Sequence, residues 1–400
     1  MTKMSEDLAG ALRVLAWLAE NPQEADRMEE LGRAVAKAYK RVRKDRRVRA
    51  ALLREVPKGA KATLSCYVCE GPYVAHGPPY EMMCPLCAAE NLRRREMKAD
   101  LRGRTAVVTG ARIKVGYQTA LKFLRDGARV IATTRFPANA AARYAAEADY
   151  AQWGERLIVY GLDLRDLHGV HLFVEKLMGM EGLEILVNNA AQTIRRPAAH
   201  YLGLMERERE LRRQLSPGGQ RLLHGAGEMV AAERKVEAWD GGHSWLLPLE
   251  EVGSVELGEV MVINAMAPFI LCSRLEPLMR RSRFADRYVV NVTSAEGQFS
   301  RRSKPAEHPH TNMAKAALNM LTRTAAARCA ENGIYMNSVD PGWITHMRSV
   351  DPGVEEEGTR EAVPLDAVDG AARVYDPIIR GLQGERVCGL LLRDYEAVSW

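Results

Sequence analysis

Four cysteines offer the plainest chemistry in the chain. Cys66-x2-Cys69 and Cys84-x2-Cys87 are separated by fourteen residues, within CYVCEGPYVAHGPPYEMMCPLC. Each pair can present two thiolates from one tight turn, and two such turns facing each other make a closed tetrahedral S4 site. Zinc suits that set, and four protein ligands leave no open position for catalysis, so the expected role is structural. Redox cysteines are the weaker reading, because two CxxC knuckles stand at knuckle spacing. His76 lies inside the loop but is not needed as a ligand. A minidomain this small buries little core and should depend on its metal to fold.

The second chemical feature is a glycine turn within Thr105–Arg135, TAVVTGARIKVGYQTALKFLRDGARVIATTR. An apolar run from Ala106 to Thr109 meets Gly110, a helical pattern runs from about Gly116 to Asp126, and Gly127 stops it before Arg129 to Thr133. Strand, glycine turn, helix and strand make the first βαβ unit of a dinucleotide-binding sheet. Such a turn aims backbone N–H groups and a helix N-terminus at one point, where a pyrophosphate is favoured.

Further strands and helices must complete that sheet. LIVYGLDL gives a third strand ending in Asp163, and LEILVNNAAQT a fourth running into Asn189 and Ala190. VMVINAMAPFILCSRL reads as a helix carrying Asn264, and RYVVNVTSAEG as a strand with Thr293-Ser294 at its end. TNMAKAALNMLTRTAAARCAENG is a long helix with Lys315 in its first turns. IYMNSVDPGWITHM is a last buried strand leading into Pro341-Gly342.

These landmarks, in this order, resemble the short-chain dehydrogenase/reductase superfamily from about Leu101 onward. They are TGxxxxxG, Asp163, NNAA, Asn264, Ser294, Lys315 and PGWITHM. The resemblance implies a doubly wound parallel α/β sheet of Rossmann type. It implies that Thr109, Gly110, Arg112, Lys114 and Gly116 cradle the pyrophosphate and adenosine ribose, that Asp163 lies beside the adenine, and that Asn189 and Ala190 line the cleft. Lys315 would hold the nicotinamide ribose, with Pro341 and Gly342 against the nicotinamide. Ser294 would orient a substrate carbonyl, and Asn264 would hold a proton-relaying water.

Two departures modify this. The usual middle glycine of the turn is Lys114, a basic position similar to that of pteridine-reductase-like members, which use NADPH. Arg112 and Arg135 can both reach a 2′-phosphate, and no acid follows the second strand to take ribose hydroxyls. NADP(H) is therefore the expected cofactor, with NAD(H) the alternative. The family's Y-x-x-x-K aligns with Thr311-Asn-Met-Ala-Lys315, so the tyrosine is a threonine. A threonine hydroxyl is too weak an acid to donate the proton. His310 and His308 stand beside the position, and an imidazole at His310 could serve as general acid.

The chain divides into a helical region at 1–60, a zinc-knuckle unit at 61–100 and a dinucleotide-binding domain at 101–400 with an insertion at 192–258. That insertion far exceeds an ordinary loop. It reads either as a surface decoration or as a lid or partner-binding element near the substrate cleft, supplying Arg195, Arg196 or Tyr201. The resemblance places a common oligomer interface nearby, so a homo-oligomer is expected.

At 400 residues, 47% hydrophobic and 27% charged, the composition is that of a globular protein, and no apolar run reads as membrane-spanning. The N-terminal stretch reads as an amphipathic helix rather than a signal peptide. The four metal-type cysteines, with three others scattered, suit a reducing, cytoplasmic setting. The net charge of +6 is concentrated in Lys40–Arg54 and Arg93–Arg104. Without interleaved aromatics, the segment Lys37–Lys58 reads as a solvated face rather than a nucleic-acid surface. Two functions follow: an oxidoreductase of atypical mechanism acting on a carbonyl, imine or activated C=C, or a pseudo-enzyme that binds a dinucleotide and engages a protein partner.

Overall fold

The computed structural model describes residues 63–192, 198–215, 223–224, 244–301, 304–344 and 363–400. The helices expected within 1–60, Arg195 and Arg196, and the insertion's stretch GEMVAAERKVEAW, which reads as helical, lie outside these residues. The chain forms two units, Met1–Ala88 and Ala89–Trp400. In the first, β1 (Thr63–Ser65) and β2 (Pro72–Val74) pair antiparallel around the Cys66–Cys69 turn, with Tyr73 and Met83 buried.

The second unit is built on a nine-stranded sheet. Its strands are β3 (Thr105–Thr109), β4 (Arg129–Thr134), β5 (Leu157–Gly161), β6 (Ile185–Asn188), β7 (Leu223–His224), β8 (Arg287–Val292), β9 (Ile334–Asp340), β10 (Leu391–Arg393) and β11 (Glu396–Val398). Their order is β11-β10-β9-β8-β6-β3-β4-β5-β7. All neighbours are parallel except β10 and β11. The near-continuous apolar runs of β3, β6 and β8 follow from burial on both faces.

Helix Lys114–Arg125 packs Tyr117, Ala120, Leu121 and Leu124 onto one face of the sheet, beside helix Ala367–Leu382. Helices Leu167–Met178 and Ala267–Arg280 fill the other face. The order reverses between β3 and β6, so the crevice beyond their C-terminal ends is the switch point where such sheets bind ligands.

At the C-terminus, whose last six residues read in the sequence as an exposed tail, Asp394 and Tyr395, both left-handed (φ 48° and 68°), turn β11 back onto β10; Tyr395 is buried, whereas Glu396 and Ala397 are exposed. One helical stretch, Ser254–Arg280, is long and apolar enough to cross a membrane, with mean hydropathy 1.6. Its Val260, Ala267, Leu271, Leu275 and Leu278 are instead buried in this fold. Within Arg93–Arg104, Arg94 pairs with Asp376, Arg95 with Asp366 and Asp369, and Arg104 with Asp286, while the solvated face expected at Lys37–Lys58 lies outside the described residues.

Candidate cofactor and catalytic site

The glycine turn is fixed by bonds between the end of β3 and Asn189 and Ala190, just after β6. Thr109 Oγ1 accepts from the backbone N–H of Asn189 and of Ala190, both at 3.0 Å. Asn189 Nδ2 in return donates to Thr109 O (2.9 Å) and Gly110 O (3.3 Å). Gly110 has φ 67°, and a Cβ there would stand 2.8 Å from Ala190 Cα; at Gly116 one would collide with Asn189 Nδ2 and Gly110 O. Both glycines are thus required by close approach. Lys114 opens the following helix at φ 54°, a left-handed position costing about 1–2 kcal/mol for a side-chain-bearing residue.

Arginines gather at the adenosine end. Arg112 donates to Asn139 Oδ1 (3.1 Å) and lies over Phe136, while Arg135 lies between the rings of Phe136 and Tyr201. Burial, with the like charges of Arg143 and Arg135 beside it, pulls Arg112 down to about 10. None of these three arginines forms an ion pair among the described residues. A site that concentrates cations at such a cost suits a phosphate. The residues present therefore fit a phosphorylated dinucleotide: Thr109, Gly110, Gly116, Asn189 and Ala190 for the pyrophosphate turn, and Arg112 and Arg135 for a phosphate on the ribose.

Asp163, expected beside the adenine, is held in a fork by Arg165, with Nη2 to Oδ2 at 2.6 Å. Arg165 also reaches Glu259, which takes a hydrogen bond from Gln192. The insertion, expected over the substrate cleft, also sends its helix Ala198–Gln214 to the adenosine end, where it packs on helix Pro137–Ala145. Tyr201 accordingly meets Arg135 rather than the catalytic residues.

At the opposite end, helix Ser254–Met261 continues through a π-turn, Val262–Met266, into Ala267–Arg280. Buried Asn264 sits on that turn and donates from Nδ2 to Gln192 O (2.8 Å) and Val260 O (2.9 Å). Lys315, on helix Pro309–Glu331, is 3% exposed and donates from Nζ to Val292 O (3.0 Å), two residues before Ser294. Burial lowers Lys315 to about 8, against the opposing pull of Glu296 and Asp340. Ser294 Oγ is buried without a hydrogen-bond partner. Asp340 accepts from Gly342 N (3.0 Å) and Gln298 (3.1 Å), fixing the turn at Pro341-Gly342.

Thr311 lies one helical turn from Lys315 on the same face and is fully buried. His310 points elsewhere. It is 1% exposed, with Nε2 3.3 Å from the buried carboxylate of Glu256. A proton donor to substrate must reach the cleft, so the role expected of His310 does not fit this placement. His308, left-handed at the helix start, stacks on Trp245 at 3.9 Å and bonds Trp245 O through Nδ1. Between Trp245, Trp343, Glu296, Arg301, Lys304 and Asn312 opens a cavity of about 380 Å³. This cavity borders the residues that follow Ser294, Thr311 and Gly342, and the insertion's last segment supplies Trp245 to its wall.

The four knuckle sulfurs lie within 4.8 Å of one another, and no other His, Cys, Asp or Glu joins the group among the described residues. Zn–S bonds of about 2.3 Å place tetrahedral sulfurs about 3.8 Å apart, so the set fits a tetrahedral ion with little adjustment. Cys84 N donates to Cys66 Sγ (3.2 Å) and Cys87 N to Cys84 Sγ (3.4 Å), bonds that favour thiolates. His76 turns Nδ1 to Gly77 O and Nε2 to Met83 O, away from the sulfurs.

Comparison with known proteins adds to this geometry. The family model for short chain dehydrogenases matches residues 104–207, and that for enoyl-(acyl carrier protein) reductases matches residues 244–367. An uncharacterised protein of Acanthamoeba polyphaga mimivirus is 35% identical over 339 residues, covering 78% of this chain and 71% of the viral protein. Dehydrogenase/reductase SDR family member 13 of Bos taurus is 40% identical over 93 residues, 23% of this chain and 24% of that protein. A short chain dehydrogenase structure from Shigella flexneri aligns at TM-score 0.51 and 18% identity, covering 75% of this chain and 95% of that one. One from Salmonella enterica serovar Typhi gives the same score and identity over 75% and 100%. At such identity the structural likeness bears on the fold.

Proposed function

We propose a function from one premise: this chain belongs to the short-chain dehydrogenase/reductase superfamily. It acts as an NADP(H)-dependent oxidoreductase on a carbonyl, imine or activated C=C, by a mechanism that does without the family's tyrosine. When bound, the dinucleotide supplies or takes a hydride at its nicotinamide. The observation that carries the reading is Lys315, a buried ammonium lowered to about 8 and held two residues from the unpartnered Ser294 hydroxyl. Ser294 orients the substrate oxygen or nitrogen by hydrogen bonding. The Lys315 ammonium gives up its proton to that atom as carbon takes the hydride, and becomes a neutral amine. Its pKa stands close enough to neutrality for that exchange, where a threonine hydroxyl does not. Arg112 and Arg135 favour the phosphorylated cofactor, and the free thiols throughout suit a reducing, cytoplasmic setting.

The test is a titration with NADPH and NADH, following nicotinamide fluorescence, on wild type and Arg135→Ala. Selective NADPH binding weakened in the variant supports the cofactor assignment, and a carbonyl and imine screen then tests turnover. Binding without turnover of any substrate would favour a dinucleotide-binding module that engages a protein. No binding of either nucleotide would sink both.

A further inference from the structure

No acid follows β4 in the sequence, at the place from which a carboxylate takes ribose hydroxyls in dinucleotide-binding sheets. The fold brings one from the insertion. Glu208, on helix Ala198–Gln214, is 0% exposed, and its two oxygens accept from the N–H groups of Ala138 (2.5 Å) and Asn139 (2.8 Å). Those groups open helix Pro137–Ala145, the first element after β4, whose own cap residue Phe136 has no side-chain acceptor. Asn139 Oδ1 meanwhile accepts from Arg112, and Arg135 lies against Tyr201 of the same insertion helix. This buried carboxylate thus lies within electrostatic range of Arg112, which also feels the charges of Arg143 and Arg135, and of Arg212 on its own helix. Met205, one turn before Glu208, is also buried, so the charge and the packing of the insertion helix are fastened together.

We propose that Glu208 is the residue that sets the choice between NADP(H) and NAD(H), and that it ties the insertion helix to the adenosine end of the cleft. This rests on the dinucleotide reading above. A 2′-phosphate drawn to Arg112 and Arg135 brings a dianion towards the Glu208 carboxylate, and like charges in a water-poor site repel strongly. A bare ribose brings no such charge. The phosphorylated nucleotide must therefore loosen the Glu208 contact and the helix that carries it, whereas NAD(H) leaves both in place.

The experiment is calorimetric titration of the full chain with NADPH, NADH and 2′,5′-ADP, on wild type and Glu208→Gln. Amide hydrogen exchange along 201–214 is followed with each nucleotide. Glutamine keeps a side-chain oxygen for one N–H group and removes the charge. The variant should bind NADPH and 2′,5′-ADP about fivefold or more tightly, with NADH changed less than about twofold. In wild type, 2′,5′-ADP should speed exchange along the insertion helix, and NADH should not. Equal effects on the two cofactors, or 2′,5′-ADP bound without faster exchange, would overturn the role of Glu208 while the cofactor assignment stands. Binding of none of the three to either protein would overturn both. Should the variant fold poorly, the wild-type exchange comparison decides alone.

Discussion

The two ends of the cleft are built from different material. At the end expected to take the nicotinamide, Asn264, Ser294 and Lys315 each sit on the element that their local sequence specifies, and the departure from the resembled pattern is Thr311 in place of a tyrosine. At the other end, expected to take the adenosine, Lys114 replaces a glycine and no acid follows β4, but groups have been added. Arg112 of the glycine turn feels Arg135 and Arg143 on one side and a carboxylate from the insertion, Glu208, on the other. One end has lost a group from a fixed frame, whereas the other has gained groups from a new one. The proposed mechanism replaces that donor with the buried ammonium of Lys315. A gained helix can alter specificity without touching the chemistry.

The largest test of this contrast is Lys315→Met. Turnover should fall by about 100-fold or more, the usual scale for loss of a general acid. Stability should move the other way. The folded pKa of Lys315 lies below its unfolded value of 10.5, so the charged form opposes folding. That cost, on the order of 3 kcal/mol, is fully present below pH 8 and fades as pH rises towards 10.5. The variant should therefore melt higher than wild type at pH 7, with the difference shrinking above pH 8 in parallel thermal scans. A variant that melts lower at pH 7 would refute the account of Lys315 as a strained charge.

Removing metal should act on the first unit alone. Chelation, or Cys69→Ser, should release one zinc per chain in a colorimetric assay and expose the amides of β1 and β2 to exchange. NADPH affinity should change less than about threefold, since the residues assigned to the cofactor lie in the other unit.

Gly116→Ala should cost about 1–3 kcal/mol in denaturant unfolding, because its methyl group overpacks against Asn189 and the Gly110 carbonyl. The smallest effect is expected for Thr311→Ser, which should alter turnover less than about threefold if the hydroxyl there takes no part in proton transfer. A larger loss in that variant would bring Thr311 back into the mechanism and erase the difference between the two ends.

What the sequence determined by itself was whatever depends on near neighbours. The β3 turn was readable because strand, glycine and helix periodicity are local, and its boundaries moved by only a residue or two, to Lys114–Arg125. The Cys66–Cys87 pattern was readable because a knuckle's ligands are spaced by the turn that presents them. The places of Asn264, Ser294 and Lys315 followed from an ordered set of elements.

Tertiary structure alone decided the rest. His310 is adjacent to Thr311 in sequence but a third of a helical turn away, which sends it to Glu256 instead of the cleft. Asp163 was legible as a strand-end acid, but its fork with Arg165 was not. Nothing distinguishes Glu208 from its neighbours in MERERELRR. It matters because packing of the insertion helix buries it, and beyond Arg212 of its own helix the carboxylate then takes the N–H groups of Ala138 and Asn139, far off in sequence.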